Sequence, residues 1–390
     1  MLVQHQLGLL LFLVVILLIA LSNLRLLRRL GDNRRPEILP RVSVLVPARN
    51  EQDNINSCVR SLLAQEYPSF QVMVLDDDSM DDTRSLLNAL AAEDSRLRVL
   101  ESKTLPRDWI GKSWACHQLA QASDGELLLF TDADTYHDAC TLNDAVAALV
   151  AEEADLITAL PQEEVVSWAE RLVIPFVFFS ILSFLPLSLA YKLRTPFLSA
   201  TIGQFMLFRR EAYEQIGGHA AVRGHAADDL ALGRRIKAHG LCWRLVDGRM
   251  HIRCRMYENL HQVYDGLSKN LFAAFDYNLP LFSFIWLWLT TVFLGPLLVI
   301  GLGTTAVPIS GLSLALASAS VAASLLIWGV SHWRFGFPLY LTFLYPLTML
   351  LTFGIAISSI ARTLTGRTVW KGRKLIRHDV KWSVIQRTER

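Results

Sequence analysis

Val72-Met73-Val74-Leu75-Asp76-Asp77-Asp78-Ser79-Met80-Asp81-Asp82-Thr83 is the stretch on which the reading of this chain turns. A short apolar run bounded by polar turns reads as a buried parallel strand. Carboxylates at the C-terminal end of such a strand face the crevice in which open α/β sheets bind ligands. The pattern recurs downstream. Leu127-Leu128-Leu129-Phe130 runs into Thr131-Asp132-Ala133-Asp134, and Asp228-Asp229 opens the helical pattern Leu230-Ala231-Leu232-Gly233-Arg234-Arg235. Paired carboxylates repel unless a cation or a donor neutralises them. A hard divalent ion holding a diphosphate is the simplest agent that would do so.

Outward from these clusters, residues 41–270 alternate strand and helix patterns. Val42-Ser43-Val44-Leu45-Val46 reads as a strand ending at Pro47. Glu51 to Gln65 is helical, with Ile55, Val59, Leu62 and Leu63 on one face, and a further helix follows near Thr83 to Glu93 before a strand at Leu97 to Leu100. That alternation predicts an α/β fold with a mostly parallel sheet and right-handed crossovers.

The flanks are of another kind. Leu7 to Leu24 is almost wholly apolar, long enough for a hydrocarbon core of ~30 Å, and its basic residues (Arg25, Arg28, Arg29, Arg34, Arg35) follow it. That charge order predicts a signal-anchor helix with the next domain in the cytoplasm. Leu281 to Leu302, Ile309 to Val330 and Pro338 to Ile360 are also apolar. Three full crossings would put the tail outside, yet Arg362, Arg367, Lys371, Arg373, Lys374 and Arg377 place it inside. One stretch must therefore cross incompletely, and Leu281 to Leu302, interrupted by Pro296, is the candidate. Leu172 to Leu189, broken by Pro175 and Pro186, cannot cross if the acidic clusters share one site. It reads as an interfacial or re-entrant element, or as a helix packed within the soluble domain. The expected organisation is residues 1–38 as anchor and basic flank, 39–270 as catalytic domain with an apolar segment at 168–193, and 271–390 as membrane region and basic tail. A multi-pass protein of the inner (plasma) membrane is expected.

Composition agrees. Hydrophobic residues make up 52% of the 390 and charged residues 19%, the balance of an integral membrane protein carrying a water-facing domain. The five cysteines form no CxxC pair, which favours reduced thiols over disulfides or a zinc site.

Read together, Pro47-Ala48-Arg49-Asn50-Glu51 after the first strand and the Asp-Asp-x-Ser-x-Asp-x-Thr turn after the second resemble family 2 glycosyltransferases of the GT-A fold. The resemblance implies that Pro47, Arg49 and Glu51 meet the nucleotide and that Asp76 or Asp77 accepts a hydrogen bond from uracil. Asp132-Ala133-Asp134 resembles the family's Asp-x-Asp motif, which implies Asp134 as ligand of Mg²⁺ or Mn²⁺, with Asp132 helping to hold the nucleotide. Gly111-Lys112-Ser113-Trp114-Ala115 is similar to a segment of the membrane subgroup linked to carotenoid and hopanoid pathways. Lys112 is expected at the nucleotide; Trp114 belongs to the acceptor side or packs its helix.

In the family an Asp at the position of Asp229 is the general base, and this chain carries Asp228 where Glu is usual. Asp228 then caps the helix or orients its neighbour. Gly203-Gln204 and Gly217-Gly218-His219 match the acceptor-side strand and turn, with Gln204 lining the acceptor pocket or satisfied in the core. Arg253-Cys254-Arg255-Met256-Tyr257 stands where processive relatives carry Gln-x-x-Arg-Trp. Ile252 and Met256 replace the Gln and the Trp, which favours a single transfer, and Arg255 remains to brace a diphosphate. The resemblance implies an inverting, metal-dependent transfer from a UDP-sugar to a lipid in the bilayer. Terpenoids of carotenoid or hopanoid type lead, ahead of ceramide or diacylglycerol and of an inactive scaffold. No nucleic-acid partner is expected.

Overall fold

A computed structural model describes residues 1–305, 307–374 and 379–383, except for the side chains of residues 369, 370 and 374. Arg377, one of the basic tail residues, lies outside the described residues, as do the side chains of Trp370 and Lys374.

Ten strands build the water-facing part: β1 Val42–Ala48, β2 Phe70–Asp76, β3 Leu97–Glu101, β4 Leu127–Phe130, β5 Thr135–His137, β6 Leu156–Leu160, β7 Gln162–Glu163, β8 Met206–Arg209, β9 Trp243–Asp247 and β10 Ile252–Cys254. Seven form one sheet in the order β3-β2-β1-β4-β8-β6-β9. Strands β1, β2, β3 and β4 are parallel, as β6 and β9 are to each other. Only β8 runs against its neighbours. The fold class is therefore the α/β arrangement with a mostly parallel sheet that the residue patterns predict.

The central strands are buried on both faces, as their unbroken apolar runs require. Register then places the chemistry. Ala48 pairs with Asp76, and Leu45 with Phe130, so the loops after β1, β2 and β4 open on one edge. Because β8 is antiparallel, its first residue Met206 pairs with Phe130, which brings Gly203 and Gln204 to that same edge. A small sheet, β5-β10-β7, flanks the edge and carries Arg255 just beyond β10.

Among the described residues, four segments are long and apolar enough to cross a membrane: Leu2–Leu26, Leu279–Gly303, Gly311–Phe335 and Leu339–Thr365. The first buries Leu9, Leu13, Ile16, Ala20 and Asn23 along one stripe. It packs along Gly311–Phe335, whose buried Ala317, Ser320, Ser324 and Ser331 permit close approach. The segment at 168–193 becomes three short helices, the longest Pro175–Phe184. Ten residues span only ~15 Å, half a bilayer core. Its rings are largely buried against the long helices; Phe179 lies flat on Trp328 with centroids 3.9 Å apart. Asn23 closes its end: Nδ2 donates to Leu182 O (2.8 Å) and Leu185 O (2.7 Å), and Oδ1 accepts from Leu187 N. These are carbonyls that a helix terminus otherwise leaves unpaired.

The α/β domain grips the ends of these helices. Arg334, at the C-terminus of Gly311–Phe335, pairs with buried Asp247 at the end of β9 and donates to Leu27 O at 3.3 Å. Residues 339–365 meet the domain at both ends, through Tyr340 with Arg171 (3.4 Å) and Arg362 with Asp265 (2.7 Å).

Candidate active site

The loops at the sheet edge enclose a crevice of about 1070 Å³, lined by residues from β1, the loops after β2 and β4, and the helices Gly111–Ala122, Asp228–Ala238, Leu260–Ala273 and Tyr345–Thr365. Three acidic clusters far apart in sequence contribute Asp77, Asp132, Asp134, Asp228 and Asp229 to it.

At the β1–β2 end, Pro47, Arg49 and Glu51 line the crevice with Asp77. Asp76 does not. It ends β2 with its carboxylate accepting from Ser79 N (3.3 Å) and facing Arg84 (3.5 Å), which shapes the turn. Of the two, only Asp77 lines the crevice. Arg49 donates to the carbonyls of Asp77 and Asp78 and ties two loops together. The basic tail folds over this end: Arg373 meets Asp77 (2.5 Å) and Asp78 (3.1 Å), and Lys371 pairs with Glu51. A Cβ on Gly111 would stand 2.8 Å from Asp77 Oδ2 and 2.7 Å from Arg373 Nη1, so the helix start approaches only because no side chain is there.

At the crevice floor, Lys112 Nζ lies 2.5 Å from Asp132 Oδ1. Asp134 has no such partner; its buried Oδ1 lacks a hydrogen bond among the described residues. Burial, then Asp132 and Glu51, pushes its carboxyl up to about 7. Such a carboxylate calls for a cation. No group of three or more His, Cys, Asp or Glu able to hold a metal occurs among the described residues. The unpartnered oxygen of Asp134 is a hard donor of the kind that a divalent ion takes. These residues fit that cofactor.

Asp228 and Asp229 begin their helix, where the dipole favours negative charge. Asp229 Oδ2 accepts from Gly203 N (3.1 Å), and Oδ1 accepts from Leu230 N (2.7 Å). Burial and the adjacent Asp228 push it up to about 6. Burial acts upward on Asp228 too, but Lys112, His219 and Lys269 outweigh it and hold Asp228 below its ordinary value. Ser113 Oγ donates to Asp228 Oδ2 at 3.3 Å.

Arg255 lines the crevice and donates to Glu170 Oε1 (3.3 Å). Gln204 lines the crevice, and its amide donates to buried Glu163 (2.7 Å). Trp114 is not among the lining residues. Its indole donates to Lys103 O (3.0 Å) and its ring packs on Trp109 and His117, so helix packing is what holds it. Sequence reasoning missed Ser113, His225 and Lys269 as lining residues. Ser113 had a signal, one position past Lys112. Lys269 and His225 had none, because only tertiary packing brings them to the edge. The basic tail, whose charge was read only as placing it inside, also reaches the crevice at Glu51 and Asp77.

Residues 43–217 match the family model described as glycosyl transferase family 2. The chain is 25% identical over 271 residues to the 4,4'-diaponeurosporenoate glycosyltransferase of Staphylococcus haemolyticus, covering 68% of this chain and 71% of that protein. It is 26% identical over 255 residues to the Staphylococcus aureus (strain MRSA252) protein of the same name, covering 64% and 65%. The chain thus spans about two thirds of the length of these relatives. Among solved structures, the Pyrobaculum calidifontis mannosyltransferase in complex with GDP-Man and Mn²⁺ superposes with a TM-score of 0.56 at 19% identity, over 93% of this chain and 99% of that one. That likeness is one of fold, and the fold is GT-A. The family likeness thus falls on residues 43–217, the part of the chain that holds strands β1 to β8.

Proposed function

We propose that this protein is an inverting glycosyltransferase that moves a sugar, glucose in the leading case, from a UDP-sugar to a membrane terpenoid of carotenoid type. The observation that carries this reading is the convergence of Asp134, Asp229 and the loops after β1 and β2 on one crevice that also takes in Ser358, Ala361, Arg362 and Thr365 at the end of the long apolar segment Leu339–Thr365. The carotenoid acceptor is supported by the relatives named for a diaponeurosporenoate.

Asp77, Arg49, Pro47 and Glu51 would seat the nucleoside. Lys112 and Arg255 would face the diphosphate, where a guanidinium matches phosphate oxygens. Asp134 would hold Mg²⁺ or Mn²⁺, which when bound screens the diphosphate and stabilises departing UDP. Asp229, with one N–H on each oxygen, keeps lone pairs for an acceptor proton. It would take that proton as the acceptor oxygen attacks the anomeric carbon from the face opposite UDP. One bond forms as the other breaks, and configuration inverts.

The membrane arrangement belongs to the same proposal. Leu2–Leu26 enters with its N-terminus outside, and Leu279–Gly303 leaves and Gly311–Phe335 returns as a hairpin whose end meets Asp247. Residues 339–365, held to the domain at both ends, are the stretch that does not cross; this replaces Leu281 to Leu302 in that role. Tail and catalytic domain then share the cytoplasmic face, with the helices of 168–193 beneath the acceptor.

The test is transfer from radiolabelled UDP-glucose by the purified protein to a panel of carotenoid, hopanoid, ceramide and diacylglycerol acceptors, paired with lipid mass spectrometry of cells with and without the gene. A glycosylated terpenoid is the expected product. Transfer confined to ceramide or diacylglycerol would replace the acceptor, and transfer to none would remove the reading.

A further inference from the structure

We propose that His219 is a positioning residue for Asp228: a neutral imidazole whose Nε2–H points at the Asp228 carboxylate and holds it so that the neighbouring Asp229 takes the acceptor proton. This rests on the reading of Asp229 as base.

The argument starts with tautomer chemistry. His219 is wholly buried, and its backbone N–H donates to Tyr213 Oη at 3.0 Å. That oxygen, already an acceptor, lies 2.8 Å from His219 Nδ1. The phenol hydrogen is free to point at Nδ1, which must then be the bare nitrogen. The ring proton is left on Nε2. Nε2 finds no hydrogen-bond partner among the described residues, and Asp228 Oδ2 is 3.9 Å away. Catalytic hydrogen bonds are often long without substrate and tighten in the reacting complex. Burial lowers His219 to about 4, so the ring stays neutral and acts as a donor rather than a second charge.

The local chain is built around this contact. Gly217 and Gly218 have φ of +79° and +49°, and a Cβ on Gly218 would stand 2.5 Å from the Tyr213 ring. The Gly-Gly turn therefore exists to let Tyr213 and His219 meet. On its other side the imidazole packs on Phe130, centroid distance 4.7 Å, the last residue of β4 before Asp132. One buried ring thus links the end of the Asp-x-Asp strand to the Asp228–Asp229 helix.

The groups facing this pair from every packed element are Lys112, Ser113, Cys116 and His117 on Gly111–Ala122, Asp132 after β4, Lys269 on Leu260–Ala273, and Tyr213. Losing the His219 donor weakens the doubly ionised state of the Asp228–Asp229 pair, so the pair takes up its first proton at higher pH.

The experiment uses the full chain in detergent or nanodiscs. His219→Phe keeps the packing and removes the donor; His219→Gln restores a donor at similar reach; Tyr213→Phe frees the tautomer. His219→Phe should lower kcat by on the order of 10-fold or more, as expected for a group acting through a base. Donor KM and UDP affinity should hold, and the acid limb of the kcat profile should move to higher pH. His219→Gln should recover most of the rate and the wild-type limb. Histidine ¹⁵N spectra, assigned by difference against His219→Gln, should show a neutral Nε2–H ring from pH 5 to 8, and that measurement does not depend on turnover. A folded His219→Phe protein with wild-type kcat and pH profile, or a ring protonated on Nδ1, overturns the proposal. If Asp229→Asn is itself active while the Nε2–H tautomer is found, the failure lies in the base assignment instead.

Discussion

Asp228 and Asp229 are neighbours in sequence that the fold sends in opposite directions. Asp228 faces Lys112, His219 and Lys269, and Asp229 answers to burial and to Asp228 itself. Environments that drive two carboxylates apart assign them different roles. Asp229→Asn should lower kcat by on the order of 10²-fold or more while UDP affinity is kept; equal kcat in the two proteins would remove Asp229 as base. A base must be ionised to act, and Asp229 lies at about 6. Activity should therefore be full above that pH and fall as pH drops through about 6, read from kcat against pH at saturating donor. Asp134 is tested without turnover. Mn²⁺ with UDP should raise the thermal midpoint of the wild-type protein and leave that of Asp134→Asn where UDP alone puts it. Full activity in excess EDTA would dispose of the metal.

Between single residues and the whole lie elements whose ends are tied by one side chain. Asn23 satisfies two carbonyls and one N–H at the break between Pro175–Phe184 and Leu187–Ala190. Replacing it by Leu keeps the volume and leaves those groups unpaired inside an apolar layer. Asn23→Leu should cost about 2 kcal/mol, seen as an earlier loss of the monodisperse peak after heating in detergent; an unchanged profile would mean that lipid or water supplies the bonds. Strand β8 shows the same logic in the sheet. Reversing one strand among parallel neighbours costs no backbone bonds, yet it moves Gly203 from the far edge to a position where its N–H holds Asp229.

At the scale of the molecule, membrane helices and catalytic domain form one body. Buried Asp247 accepts from Arg334 of a membrane helix and from Arg249 beside it, while the backbone around Arg28 to Leu30 pairs with the same residue. The hairpin of Leu279–Gly303 and Gly311–Phe335 should put residue 305 outside and residue 372 inside. Thr305→Cys should label with an impermeant thiol reagent on intact cells and Gly372→Cys should not; labelling at both positions would restore a third C-terminal crossing.

Much of this was legible in the linear chain because it depends on local order. Apolar runs ending in Asp76-Asp77 and in Asp132-Ala133-Asp134, and the helical pattern that Asp228-Asp229 opens, carry their own strand and helix signals, and period and charge are properties of neighbours along the chain. The α/β class, the acidic edge and the apolar flanks follow from that. What the sequence could not contain is which of two adjacent acids faces the crevice. Asp76 turns to Arg84 and Asp77 to Arg373, a choice made by register and by a tail about 300 residues away. The same holds for Trp114, drawn into a ring cluster, for Lys269, brought in by helix packing, and for the imidazole of His219. Contacts between residues distant in sequence have no local signature; packing, burial and the strand order of the sheet create them, and with them the different surroundings that separate Asp228 from Asp229.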